Sequence, residues 1–276
     1  MSPEEFLRAF PIGLVGGFFG GMLGIGGSVV ALPLLDFVNG PNQQLYQASS
    51  MVANVCAAVS GSRKHRGRGT IRMDLVPTML PLAGAGALIG ALTSNLIEPT
   101  PLRGVFGTYL CLTAIMECKG ALANRNASES SDGAPLRGTR LQCGTVALSG
   151  GLVSGLLGVG GGVLMVPLLR GFVGMPLRQA IATSSVVMLA STSVGAVTKN
   201  ATIASLHDPQ GNALTLTQSM SLALPLCVGA LIGAAIGASC SYRLPLRALK
   251  LVFAALIAIA GARMLLQTLH AAGFIA

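Results

Sequence analysis

Two stretches of the chain, GGFFGGMLGIGGSVVALPLL (Gly16–Leu35) and GGLVSGLLGVGGGVLMVPLL (Gly150–Leu169), are crowded with glycine and contain no charge. Side chains of this kind offer little chemistry, so the reactive groups on offer are those of the backbone. Glycine loses more conformational freedom than any other residue in a regular element, and its density here marks points where the chain turns or is closely approached. A helix restarting after such a turn, at Ser28 in one stretch and Gly162 in the other, directs unpaired N–H groups and a positive dipole end outward. That arrangement attracts an anion without placing a costly arginine in an apolar medium. The candidate contacts are therefore Gly24, Gly26, Gly27 and Ser28 in the first stretch and Gly158, Gly160, Gly161 and Gly162 in the second. Ser28 can cap its own helix or bond a solute. Pro33 and Pro167 fall inside the segments that follow and loosen them. Gly16, Gly17, Gly150 and Gly151 read instead as packing positions, with Gly-xxx-Gly spacing at Gly17–Gly21 and Gly151–Gly155.

A second set of polar residues follows each glycine stretch: Ser49, Ser50 and Asn54 in one place, Thr183, Ser184 and Ser185 in the other. Hydroxyls in apolar helices bond their own backbone or line a site. The amide of Asn54 needs partners in such surroundings, and Met188 stands at its matching position. Apart from Glu117, no centre of an apolar segment carries Asp, Glu or His, which argues against a relay of buried carboxylates. No HExxH, GxSxG or Cys/His cluster occurs, and His65, His207 and His270 lie in loops or near an end. An enzyme is therefore not expected, nor a metal, a cofactor or a disulfide framework.

The surrounding elements must hold these residues in a bilayer. Of 276 residues, 52% are hydrophobic and 10% charged, too few charges to cover a soluble surface. Uncharged runs at Ala9–Leu35, Leu75–Ile97, Leu141–Leu169 and Gln179–Thr198 are long enough to span as helices, whereas barrel strands are short and alternating. The net charge of +9 fits basic residues retained beside membrane helices, so the run RKHRGRGTIR (Arg63–Arg72) reads as a cytoplasmic loop rather than a nucleic-acid patch.

The two stretches also share an order of later features. Ala48–Ser50 matches Ala182–Ser184, GALIGA occurs at Gly86–Ala91 and Gly229–Ala234, and Pro101–Arg103 matches Pro245–Arg247. This spacing predicts two homologous repeats, 1–123 and 142–276, joined by a polar linker at 124–141. Each repeat has four apolar segments, about 10–38, 43–62, 74–97 and 101–123, then 142–170, 176–198, 217–240 and 245–268. If the glycine-rich segment of each repeat is broken or re-entrant, the halves are inverted. Only Arg8, Arg103, Lys199 and Arg263 then fall outside, a better charge asymmetry than eight full crossings give. The expected architecture is an all-α polytopic membrane protein with inverted repeats.

The phrase G-x-L-G-x-G-G-G-x-x-x-x-P, read from Gly155 and in altered form from Gly21, with A-(T/S)-S after it, resembles the sulfite exporter TauE/SafE family of membrane transporters. The resemblance covers both repeats, and Ser28 departs from the third glycine of the motif. It implies movement of small sulfur-containing anions, sulfite or organosulfonates, across the cell (inner) membrane. With the glycine breaks, it implies a secondary transporter alternating around a midplane site. A passive anion channel could use the same half-helix ends. The expected partners are a small anionic solute and the lipid bilayer, with no nucleic acid; a homo-oligomer and any coupling ion stay open.

Overall fold

The computed structural model describes residues 3–67, 69–123, 139–208, 210–241 and 246–271. The linker residues 124–138 and the matched Pro245 lie outside them. Among the described residues the chain is helical, with no named strand: α1 (Pro3–Leu23), α2 (Ser28–Asn39), α3 (Gln43–Arg66), α4 (Val76–Asn95), α5 (Pro99–Ala123), α6 (Arg140–Leu157), α7 (Gly162–Gly171), α8 (Leu177–Ala201), α9 (Leu216–Cys240) and α10 (Leu246–Ala271). Helix α6 starts two residues before the expected boundary at 142, because Thr139 and Gln142 form a reciprocal capping box.

Among the described residues five helices are long and apolar enough to cross a membrane: α1, α4, α8, α9 and α10. The last turns apolar residues outward, with Val252, Ile259 and Leu266 all more than half exposed. Helix α3 is different. Its Gln44, Gln47, Ser49, Ser50 and Asn54 are buried, so neighbouring helices shield this polar rod. Lipid is as apolar as a leucine side chain, so close packing and polar bonds must hold these helices together.

Small residues provide that close packing. Helix α1 packs on α9, and α6 packs on α4. A Cβ added to Gly17 would lie 2.5 Å from Ala230 O, and one added to Gly151 or Gly155 would collide with Ala83 or Ala87 backbone. Gly17 and Gly151 therefore sit at helix–helix contacts. Gly16 and Gly150 face inward instead: their added Cβ atoms would meet Gly27 O and the Met165 side chain.

Helices α3 and α8 run antiparallel against each other. Lys199 bonds Gln44, Met51 lies against Gly195, and Asn54 and Met188 meet at Gly160. The numbers rise on one helix as they fall on the other. Helices from before and after the linker are thus interleaved, α5 against α10 included.

Candidate functional site

Helix α1 ends at Leu23 and α2 begins at Ser28. Between them Gly24 and Gly26 hold φ values of +66° and +88°, and Ile25 N–H closes the turn onto Gly20 O at 3.3 Å. Helix α6 ends at Leu157 and α7 begins at Gly162, with Gly158, Gly160 and Gly161 at φ +76°, +78° and +70°. These dihedrals lie in the left-handed region, where any side chain is penalised. Helices α2 and α7 have 12 and 10 residues, about half the length needed to span a bilayer. Pro33 and Pro167 lie within them.

The two interruptions touch. A Cβ on Gly26 would lie 2.8 Å from Val159 O and 3.4 Å from Gly160 Cα; one on Gly160 would lie 2.9 Å from Met188 Sδ. A Cβ on Gly162 would overlap Gly24 O. A broken backbone buried among apolar helices has no water to bond, so each break needs its polar groups covered by protein. That cover comes from α3 and α8. Ser184 Oγ donates to Gly24 O at 3.1 Å, while Gln47 Nε2 donates to Leu156 O at 3.2 Å. Each α1 or α6 terminus is thus covered by a helix from the other side of the linker.

Ser28 does not cap its own helix. Gly27 is the N-cap residue and makes no side-chain bond; Ser28 is the first helical residue. The cap comes from Asn54, whose Oδ1 accepts from Ser28 N at 3.0 Å while its Nδ2 donates to Ser28 Oγ at 2.6 Å. This accounts for the departure from a third glycine. Ser28 answers Asn54, whereas Gly162 must pass Gly24 O and carries no side chain.

The remaining hydroxyls are all buried, and most bond the backbone of their own helix. Ser49 Oγ donates to Leu45 O at 2.9 Å and lies 3.4 Å from Ser219 Oγ; Ser50 Oγ bonds Tyr46 O. Ser185 Oγ donates to Ile181 O at 2.8 Å. Thr183 Oγ1 instead accepts from Arg72 N at 3.1 Å, which ties the basic loop to the start of α8. Beside that bond Arg72 pairs with Asp74 at 2.9 Å and holds its carboxyl below the usual carboxylate range.

Two charged residues near this core lie at the ends of runs read as apolar. Lys199, in the last turn of α8, is 0% exposed and donates to Gln44 Oε1 at 2.6 Å. Asp36, near the end of α2, is buried and pairs with Arg103 of α5 at 2.5 Å; Arg103 also bonds Gln267 of α10. A cavity of about 570 Å³ opens at the same end of the molecule, lined by Arg8, Asn42, Tyr46 and Gln218 among others. The only sequence signal for Lys199 and Asp36 is their position at the end of an uncharged run.

The family model described as "Sulfite exporter TauE/SafE" matches residues 9–264. The chain belongs to the sulfite exporter TauE/SafE family. This family and the relatives' names are those of membrane transporters, not enzymes. The chain is 28% identical over 291 residues to "Probable membrane transporter protein MamO" of Paramagnetospirillum magneticum, which covers 96% of this chain and 45% of that protein. It is 29% identical over 199 residues to a "Probable membrane transporter protein" of Xylella fastidiosa, covering 72% and 74% of the two chains. It is 23% identical over 281 residues to "Probable membrane transporter protein YunE" of Bacillus subtilis, covering 95% and 98%. The chain therefore spans just under half the length of its MamO relatives. No solved structure matches it. As a TauE/SafE family member with five bilayer-length apolar helices among the described residues, it is a multi-pass membrane protein.

Proposed function

We propose that the chain is a secondary transporter of small anions, sulfur oxyanions such as sulfite or organosulfonates, alternating around a midplane site where the two glycine breaks meet. The observation that carries this reading is the contact of Gly26 with Gly160. It brings the positive ends of α2 and α7 together at the middle of the helix bundle. Asn54 Oδ1 accepts from the Ser28 amide in the position an anion's oxygen would take, so solute and Asn54 compete for that N–H.

The antiparallel crossing of α3 and α8 supports inverted repeats, as does the reciprocal covering of Gly24 by Ser184 and of Leu156 by Gln47. Two halves related in this way can rock about the breaks and open to each side in turn. Backbone packed against backbone at Gly26, Val159 and Gly160 favours a carrier over a passive channel, because a solute passes only when the halves part. The cell membrane is the site of action, with the basic stretch Arg63–Arg72, which is the last turn of α3 and the loop after it, facing the cytoplasm on charge grounds.

The test is uptake and exchange in proteoliposomes with labelled sulfite, thiosulfate, a sulfonate and a carboxylate. Saturable flux with counterflow is expected, lost in Gly26→Leu and Gly160→Leu. Normal flux in both variants at normal expression sinks the site; flux without counterflow replaces the carrier by a channel.

A further inference from the structure

Lys199 presents a problem of charge balance. It is fully buried, and its ammonium has three N–H donors but one acceptor, Gln44 Oε1. Among the described residues no carboxylate pairs with it; Asp36 and Asp74 are engaged by Arg103 and Arg72. A cation taken out of water without a counter-charge is strongly disfavoured. Carbonyl groups at the nearby end of α4 do not supply the balance: Ser94 O and Ile97 O accept from Gln44 Nε2, at 3.1 and 3.4 Å, and among the described residues neither accepts from Lys199. Those bonds also fix the Gln44 amide with its oxygen toward Lys199.

A second observation lies on the same first turn of α3. Gln43 is 2% exposed, and neither its Oε1 nor its Nε2 finds a protein partner. Buried amides are rarely left this way without a ligand or water to satisfy them. The acceptor of a buried cation lacking its anion, Gln44, and a buried amide lacking any partner, Gln43, are thus neighbours in sequence on the first turn of α3.

We infer that Lys199, Gln43 and Gln44 form a subsite for a small oxyanion, separate from the glycine breaks and placed on the route to them. Lys199 and Met188 lie on one helix, about 16 Å apart along its axis, so the subsite stands three turns from the Gly26–Gly160 contact. The cavity lined by Asn42 and Tyr46 lies at this end too. One ammonium balances one negative charge, so singly charged oxyanions fit best. The inference rests on the transport reading and extends it: the anion is held here before it reaches the breaks.

The experiment uses the full chain in detergent and in proteoliposomes, with sodium sulfite at mildly acid pH, where the singly charged hydrogensulfite prevails, as probe and sodium chloride for comparison. Wild type is expected to melt higher with sulfite, saturably. Lys199→Met removes the charge, and Gln44→Glu gives Lys199 a built-in carboxylate that takes the anion's place. Both variants are expected to lose the sulfite-dependent shift and to need at least tenfold more sulfite for half-maximal uptake, with Gln44→Glu melting no lower than wild type. Unchanged shifts and uptake in both variants overturn the subsite and leave the transport reading standing. Failure of both variants to fold assigns Lys199 a structural role and also overturns it. A wild type that neither binds nor moves any anion overturns both readings.

Discussion

Asn54 and Ser28, 26 positions apart in sequence, close a two-bond ring at the start of α2: the amide oxygen takes the Ser28 N–H at 3.0 Å and the amide nitrogen reaches Ser28 Oγ at 2.6 Å. A helix that begins in the interior of a membrane protein thus has its first donor satisfied from a neighbouring helix. A double-mutant cycle measures that relationship. Asn54→Ala strands the Ser28 N–H and is expected to lower stability by about 1–3 kcal/mol. Ser28→Ala leaves that bond intact and is expected to cost less, with a coupling of about 1 kcal/mol between the two. Additive effects in a thermal or denaturant melt would show that the ring does not act as a unit.

Three glycines separate backbone conformation from close approach. Gly40 holds φ +84° with nothing near an added Cβ; Gly160 holds φ +78° with Met188 Sδ 2.9 Å away; Gly162 has no left-handed φ but lies against Gly24 O. Gly40→Ala is expected to lose only the dihedral preference, about 1–3 kcal/mol, since φ +84° with ψ 179° is a conformation kept by glycine. Gly160→Ala adds a clash with a flexible side chain and Gly162→Ala a clash with backbone, so both should melt below Gly40→Ala. A Gly40→Ala variant as damaged as the other two would refute the close-approach account.

The Asp36–Arg103 pair predicts a loss that a second substitution repairs. Its side chains are 2% and 11% exposed, so removing one partner strands a buried charge. Arg103→Met alone or Asp36→Leu alone is expected to cost about 3–5 kcal/mol, and the double variant far less. Melting temperatures of the three proteins decide it, and a double variant worse than either single would rule out an ion-pair explanation.

Asp74 gives a narrow pH effect. Arg72 holds its folded carboxyl below the ordinary value, so the stabilisation is present above the unfolded pKa of about 3.9 and disappears as pH falls through the folded one. The pair is partly exposed, at 31% and 46%, so it contributes at most about 1 kcal/mol. Asp74→Asn is expected to lower stability by up to about 1 kcal/mol between about pH 6 and 8 and to flatten the acid limb of the profile below about pH 4. An acid limb as steep in Asp74→Asn as in wild type would contradict this assignment.

Composition and pattern were enough to read the membrane class, the helical architecture and the approximate extent of every apolar segment, because bilayer thickness and backbone bonding allow few alternatives. The glycine-rich phrase carried the family, and its positions between Leu23 and Ser28 and between Leu157 and Gly162 are where the helices stop and restart. Partnership was not legible. Nothing local says that Asn54 caps α2, that Ser184 covers Gly24, or that Lys199 finds Gln44 instead of a loop, since each bond joins residues 26 to 160 positions apart. Spacing along one helix sets which groups share a face; which other helix meets that face depends on how α3 and α8 cross, and only the packed bundle decides that.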